Sequence, residues 1–128
     1  MTGRMLVAFL FLGSGLGKIG GYGATVTEMT ARGVPWAEPL LIVSIAVQLV
    51  AGGLVAIGIW VKPAAALLAL WIIPVTVVFH DFWRLAADAR EVEFMMFMKN
   101  VAILGALLLL TACGTRPGTG PQNTAVAR

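Results

Sequence analysis

From Leu40 to Val61 the chain runs for 22 residues without a charged side chain. No other feature limits the fold as strongly. As a helix this segment is roughly 33 Å long, which matches the ~30 Å hydrocarbon layer of a bilayer. In lipid every backbone N–H and C=O must be paired inside the segment, so a lone span of this kind has to be helical. Three further apolar runs follow the same logic: Met5 to about Tyr22, Ala64 to Phe79, and Phe94 to Ala112. The third is short, so its helix is expected to continue through His80 and Asp81. Hydrophobic residues make up 59% of the chain and charged residues 12%, against about 45–50% and 25% in soluble domains. Such a chain lacks the polar groups to cover a water-facing surface.

The expected architecture is therefore all-α: an antiparallel four-transmembrane-helix bundle over residues 1–112, with spans at about 5–22, 40–61, 64–81 and 94–112. The first run is expected to be a retained span, not a cleaved leader. Short interfacial helices are expected in the outer loops, at Thr25–Arg32 and Leu85–Val92. The turn between the second and third spans falls at Lys62-Pro63, and Pro74 is placed to kink or loosen the third. Trp36, Phe82 and Trp83 suit the headgroup level. Residues 113–128, rich in Gly, Pro and Thr, read as a C-terminal tail.

Four spans put both termini on one side of the membrane. Arg4, Lys62, Arg116 and Arg128 collect there, while the other side holds all six acidic residues and five basic ones, of which Lys18 and Lys99 lie inside apolar runs and do not count as loop charges. The positive-inside rule then places both termini in the cytoplasm. The lone Cys113 excludes an intrachain disulfide and a Cys-x-x-Cys redox pair.

Gly15-Leu16-Gly17-Lys18-Ile19-Gly20 fits the G-x-G-x-x-G pattern of dinucleotide-binding loops. That pattern functions only between a strand and a helix of a βαβ unit, and the spans leave no room for a sheet. At helical spacing the same stretch gives Gly13, Gly17 and Gly21, a doubled G-x-x-x-G. Glycine lets helix backbones approach closely where lipid supplies no hydrophobic drive. A packing ridge on the first span is thus expected, with Ser44, Gln48 and Gly52 as its counterpart on the second.

Within this apolar chain the scarce polar residues carry the functional signal. Lys18, Gln48, His80, Asp81, Lys99 and Asn100 come from all four spans and fall in the same half of the membrane. Either lysine could snorkel to the headgroups, Gln48 could serve as helix–helix glue, and His80 with Asp81 could cap a helix end. Together they suggest a shared polar pocket, because buried polar groups in membranes face the bundle interior or a cavity. Lys18, Gln48, Lys99 and Asn100 are the candidate substrate-binding groups. His80 and Asp81 are the candidate catalytic pair, since histidine titrates near neutrality. Met95, Met96 and Met98 read as packing, and no metal site is expected.

The sequence Arg4…Phe11…Ser14-Gly15-Leu16-Gly17-Lys18-Ile19, then Gln48-x-x-x-Gly52-Gly53, then Phe79-His80-Asp81-Phe82-Trp83, then Phe97-Met98-Lys99-Asn100…Gly105 resembles the DoxX family of small bacterial membrane proteins. The resemblance extends from Arg4 to about Ala112. It implies a four-helix bundle of the bacterial inner membrane, linked in named members to thiosulfate oxidation feeding quinone and to redox-stress complexes. The family often has glutamate where this chain has Gln48. The leading expectation is a membrane subunit of a quinone-linked or redox-stress oxidoreductase assembly, with no covalently bound cofactor and with a quinone or a small sulfur or other anionic substrate as the ligand. Its partners would be the lipid bilayer and other membrane or peripheral subunits, with no nucleic acid. A non-catalytic anchor or scaffold is the alternative, and a small-solute transporter or channel the third.

Overall fold

The computed structural model describes residues 2–114. Within them the chain is all helical: α1 (Thr2–Gly20), α2 (Tyr22–Ala31), α3 (Ala37–Ile57), α4 (Val61–Phe79) and α5 (Ala87–Cys113), with a 3₁₀ turn at Phe82–Arg84 between the last two. Four of these helices are long and apolar enough to cross a membrane. The tail expected from residue 113 begins inside α5, and from Thr115 on it lies outside the described residues.

The long helices alternate in direction. α1 packs on α3, α3 on α4, and α4 on α5, while α1 and α5 meet only briefly. One end of the bundle carries the start of α1, the α3–α4 hairpin and the end of α5; it is called the terminal end below. The other, the loop end, carries α2 and the 3₁₀ turn. A continuous core of Ala8, Phe11, Ala51, Val55, Ala65, Leu68 and Leu107 fills the terminal half. At that end Arg4 reaches the end of α3, where its Nη2 donates to the Ala56 carbonyl at 3.5 Å.

The hairpin turns earlier than expected. Gly58 ends α3 at φ +84° and Trp60 precedes α4 at φ +50°. Lys62 and Pro63 belong to the first turn of α4, where proline's missing N–H has no helical partner to lose. Pro74 sits inside α4 without ending it.

In the first loop-end connection, α2 covers most of the segment expected to be helical there. Met29, Ala37 and Leu41 are buried together, with Tyr22, Val26, Val34, Ile45 and Phe79 packed around them. In the other, Leu85–Val92 does not form a separate helix. From Ala87 onward it is the start of α5, because nothing between Ala87 and Phe94 breaks the helix. The short helix of that loop is the 3₁₀ turn, whose Phe82 ring stands edge-on to Trp83, Phe94 and Phe97 at 5.2–5.3 Å.

The expected glycine ridge is also corrected. Gly13 and Gly17 are exposed, and a methyl group added at either would meet nothing within 4 Å. Gly21 breaks the chain between α1 and α2. The close approach is made by Gly15, where a Cβ would lie 2.8 Å from Leu49 Cδ2. Gly52 does meet α1, since a Cβ there would stand 3.4–3.5 Å from Phe11 Cβ and Leu12. Spacing by four located the helix but not the face that turns inward.

Candidate functional site

The terminal half of the bundle is solid and the loop half is hollow. There the helices enclose a cavity of about 830 Å³. Its walls are largely apolar, drawn from Leu10, Phe11, Leu41, Ile72 and Val75 among others. Leu10 on α1, Leu40 on α3, Val78 on α4 and Lys99 on α5 line it and are also exposed, so the cavity reaches the surface.

Ser14 organises one wall. Its Oγ accepts from Lys18 Nζ at 2.8 Å, one helical turn away, and from Gln48 Nε2 of α3 at 3.3 Å. Gly15 permits this contact, since its bare backbone lets α3 come close enough for Gln48 to reach α1. Gln48 is only 6% exposed. Its Oε1 has no hydrogen-bond partner among the described residues, and neither has the buried Nε1 of Trp71 on α4. Exchanging the amide oxygen and nitrogen of Gln48 would still leave one end without a protein partner. Each such orphan costs about 1–3 kcal/mol. Both residues line the cavity.

Across the cavity, Asn100 of α5 is buried and donates from Nδ2 to Thr76 Oγ1 at 3.1 Å. Thr76 in turn donates to the Ile72 carbonyl at 2.6 Å. Lys99 is exposed, with its Nζ 3.3 Å from Met96 Sδ on its own helix.

At the loop-end mouth, His80 Nδ1 lies 2.7 Å from Glu93 Oε2, and both residues line the cavity. Asp81 does not line it and does not pair with His80. It is held by Arg32 of α2 at 3.3 Å and by Arg84 at 3.8 Å. Arg32 also contacts Glu28 at 3.3 Å and the Val78 carbonyl at 3.2 Å, and its Cζ stands 5.3 Å from the Phe79 ring centre. These contacts tie α2 across the end of α4.

Lys18, Gln48, His80, Lys99 and Asn100 therefore share one cavity, and Asp81 stands outside it. The geometry moves the carboxylate partner of His80 from Asp81 to Glu93. A helix ends at Phe79, and the chain turns His80 and Asp81 in different directions: one toward α5, the other toward α2.

The DoxX family pattern matches residues 1–81. The chain belongs to the DoxX family. It is 30% identical to the inner membrane protein YphA of Escherichia coli over 114 residues, covering 89% of this chain and 81% of that protein. It is 34% identical to the E. coli inner membrane protein YqjF over 115 residues, covering 89% and 82% respectively. No solved structure matches.

Three residues of this DoxX cavity escape a reading of the sequence. Ser14 is hidden in the glycine run, although its spacing of four from Lys18 is a usable signal. Trp71 sits in an apolar run that looks lipid-facing. Glu93 lies just before the fourth apolar run and reads as a loop charge.

Proposed function

We propose that this DoxX protein is a multi-pass subunit of a redox assembly in the bacterial inner membrane, and that its cavity binds a quinone. The observation that carries this reading is the cavity itself: apolar walls with Lys18, Gln48, His80 and Asn100 facing one space. Binding sites for small organic ligands have this character, mostly apolar with a few placed polar groups. The orphaned Trp71 Nε1 suits a carbonyl oxygen of a quinone ring, and the orphaned Gln48 Oε1 suits a hydroxyl of its reduced form. In this reading the loop end faces outward, with the terminal end and its Arg4 and Lys62 in the cytoplasm. Lys18 and Asn100 donate hydrogen bonds to the ligand, and Lys99 lends positive charge at the open flank. His80 and Glu93 exchange protons with water at the mouth, a role Asp81 does not share because two arginines hold it elsewhere. Electrons come from a partner subunit.

The test replaces Lys18→Met and Lys99→Met and measures quinone-linked redox activity of membranes containing the assembly. Activity should be lost while assembly stays normal. Unchanged activity would refute the proposal.

A scaffold role is the second reading. It is favoured by the bare, outward-facing Gly13 and Gly17, which leave α1 a smooth flank for a neighbouring helix. It predicts that changes at these glycines disrupt assembly while changes in the cavity do nothing.

A further inference from the structure

We infer that Trp71 and Gln48 together hold the polar head of the cavity's ligand, and that this head is an uncharged, oxygen-bearing ring arriving from the bilayer. The inference rests on the ligand-binding reading above and gives it a location and a chemical class. Gln48 lies 11 residues before Ile59 in the α3–α4 hairpin, and Trp71 lies 12 residues after it. On antiparallel helices these distances put the two residues level, roughly 16–18 Å from the turn. Ser14 joins the same level through its bond to Gln48. Two residues that line one cavity from adjacent helices, at one depth, thus each carry a buried polar atom without a partner among the described residues.

An indole N–H only donates, so the ligand atom against Trp71 is an acceptor, a carbonyl or hydroxyl oxygen. The free Oε1 of Gln48 only accepts, so it takes a hydroxyl of the same head, which the reduced form carries. The depth is close to the middle of a ~30 Å hydrocarbon layer, where a small water-soluble anion would have to shed its hydration. The cavity's apolar walls and the exposed apolar side chains at its edge, Leu10, Leu40 and Val78, suit a membrane-dissolved molecule instead.

Tryptophan emission of the full-length protein in nanodiscs, titrated with decylubiquinone, tests this. Of the four tryptophans, Trp36, Trp60 and Trp83 are 82%, 73% and 46% exposed, and Trp71 lines the cavity. Saturable quenching should vanish in Trp71→Phe and persist in a protein carrying Trp36→Phe, Trp60→Phe and Trp83→Phe together, which keeps Trp71 native. Gln48→Leu should weaken binding of decylubiquinol, the hydroxyl-bearing form, roughly tenfold without changing the quenching at saturation. Thiosulfate should not compete.

No saturable quenching in the unaltered protein would overturn both the quinone reading and this site. Saturable quenching that survives Trp71→Phe, or a decylubiquinol dissociation constant unmoved by Gln48→Leu, would overturn the Trp71–Gln48 site and leave quinone binding intact. Competition by thiosulfate would overturn the assigned ligand class.

Discussion

Ser14→Ala is the sharpest probe of how the cavity wall is held together. The hydroxyl is the partner of both Lys18 Nζ, at 2.8 Å, and Gln48 Nε2, at 3.3 Å. Removing it strips a 6% exposed amide whose other end already lacks a partner. A buried amide group left unsatisfied costs about 1–3 kcal/mol. The Lys18 share is small, because its long stem can swing the ammonium toward the headgroups. The lost oxygen borders an existing cavity, so little packing is sacrificed. The expected destabilisation is about 2 kcal/mol, from the amide term alone. Reversible unfolding by dodecyl sulfate in mixed micelles measures it. Gln48→Leu removes the group that needs Ser14, so Ser14→Ala in that background should cost less than about 0.5 kcal/mol, a coupling of about 1.5 kcal/mol. An equal cost in both backgrounds would refute the role given to Ser14.

Three further outcomes follow from the packing. Gly15→Leu should destabilise by about 1–3 kcal/mol, since its Cβ already falls 2.8 Å from Leu49, whereas Gly13→Leu and Gly17→Leu should leave the isolated subunit's unfolding midpoint nearly unchanged. Gly58→Ala places a side chain at φ +84° against the Arg4 guanidinium, and the same unfolding titration should show a loss of about 1–2 kcal/mol. Glu93→Ala removes a half-exposed partner of His80, so stability should fall by less than about 1 kcal/mol while quinone-linked turnover of the assembly drops. Stability and turnover falling in proportion would argue against a proton role for Glu93.

The four spans were legible because lipid accepts little else, although the second ends at Ile57, inside the charge-free run Leu40–Val61. The inward faces were harder to read. A helix that is apolar all round carries no stripe to say which side packs, so the spacing of Gly13, Gly17 and Gly21 pointed to a ridge where Gly15 makes the contact. The convergence of Lys18, Gln48, His80 and Asn100 was legible as approximate depth, although the observed helix bounds set Gln48 and Asn100 at mid-span, deeper than their apolar runs implied. Asp81 and Glu93 could not be told apart that way. Which carboxylate meets His80 depends on α5 starting at Ala87, ahead of its apolar run, and on Arg32 drawing Asp81 toward α2. Trp71 gives no sequence signal, because its role comes from an indole N–H that no neighbouring helix satisfies.

A side-chain-resolution map of the gently purified assembly tests the central claim most directly. It should show a hollow loop half, with Ser14, Gln48 and Trp71 facing inward and ring-shaped density between the last two. Helices closed together there, with Lys18 and Gln48 turned out to lipid, would contradict it.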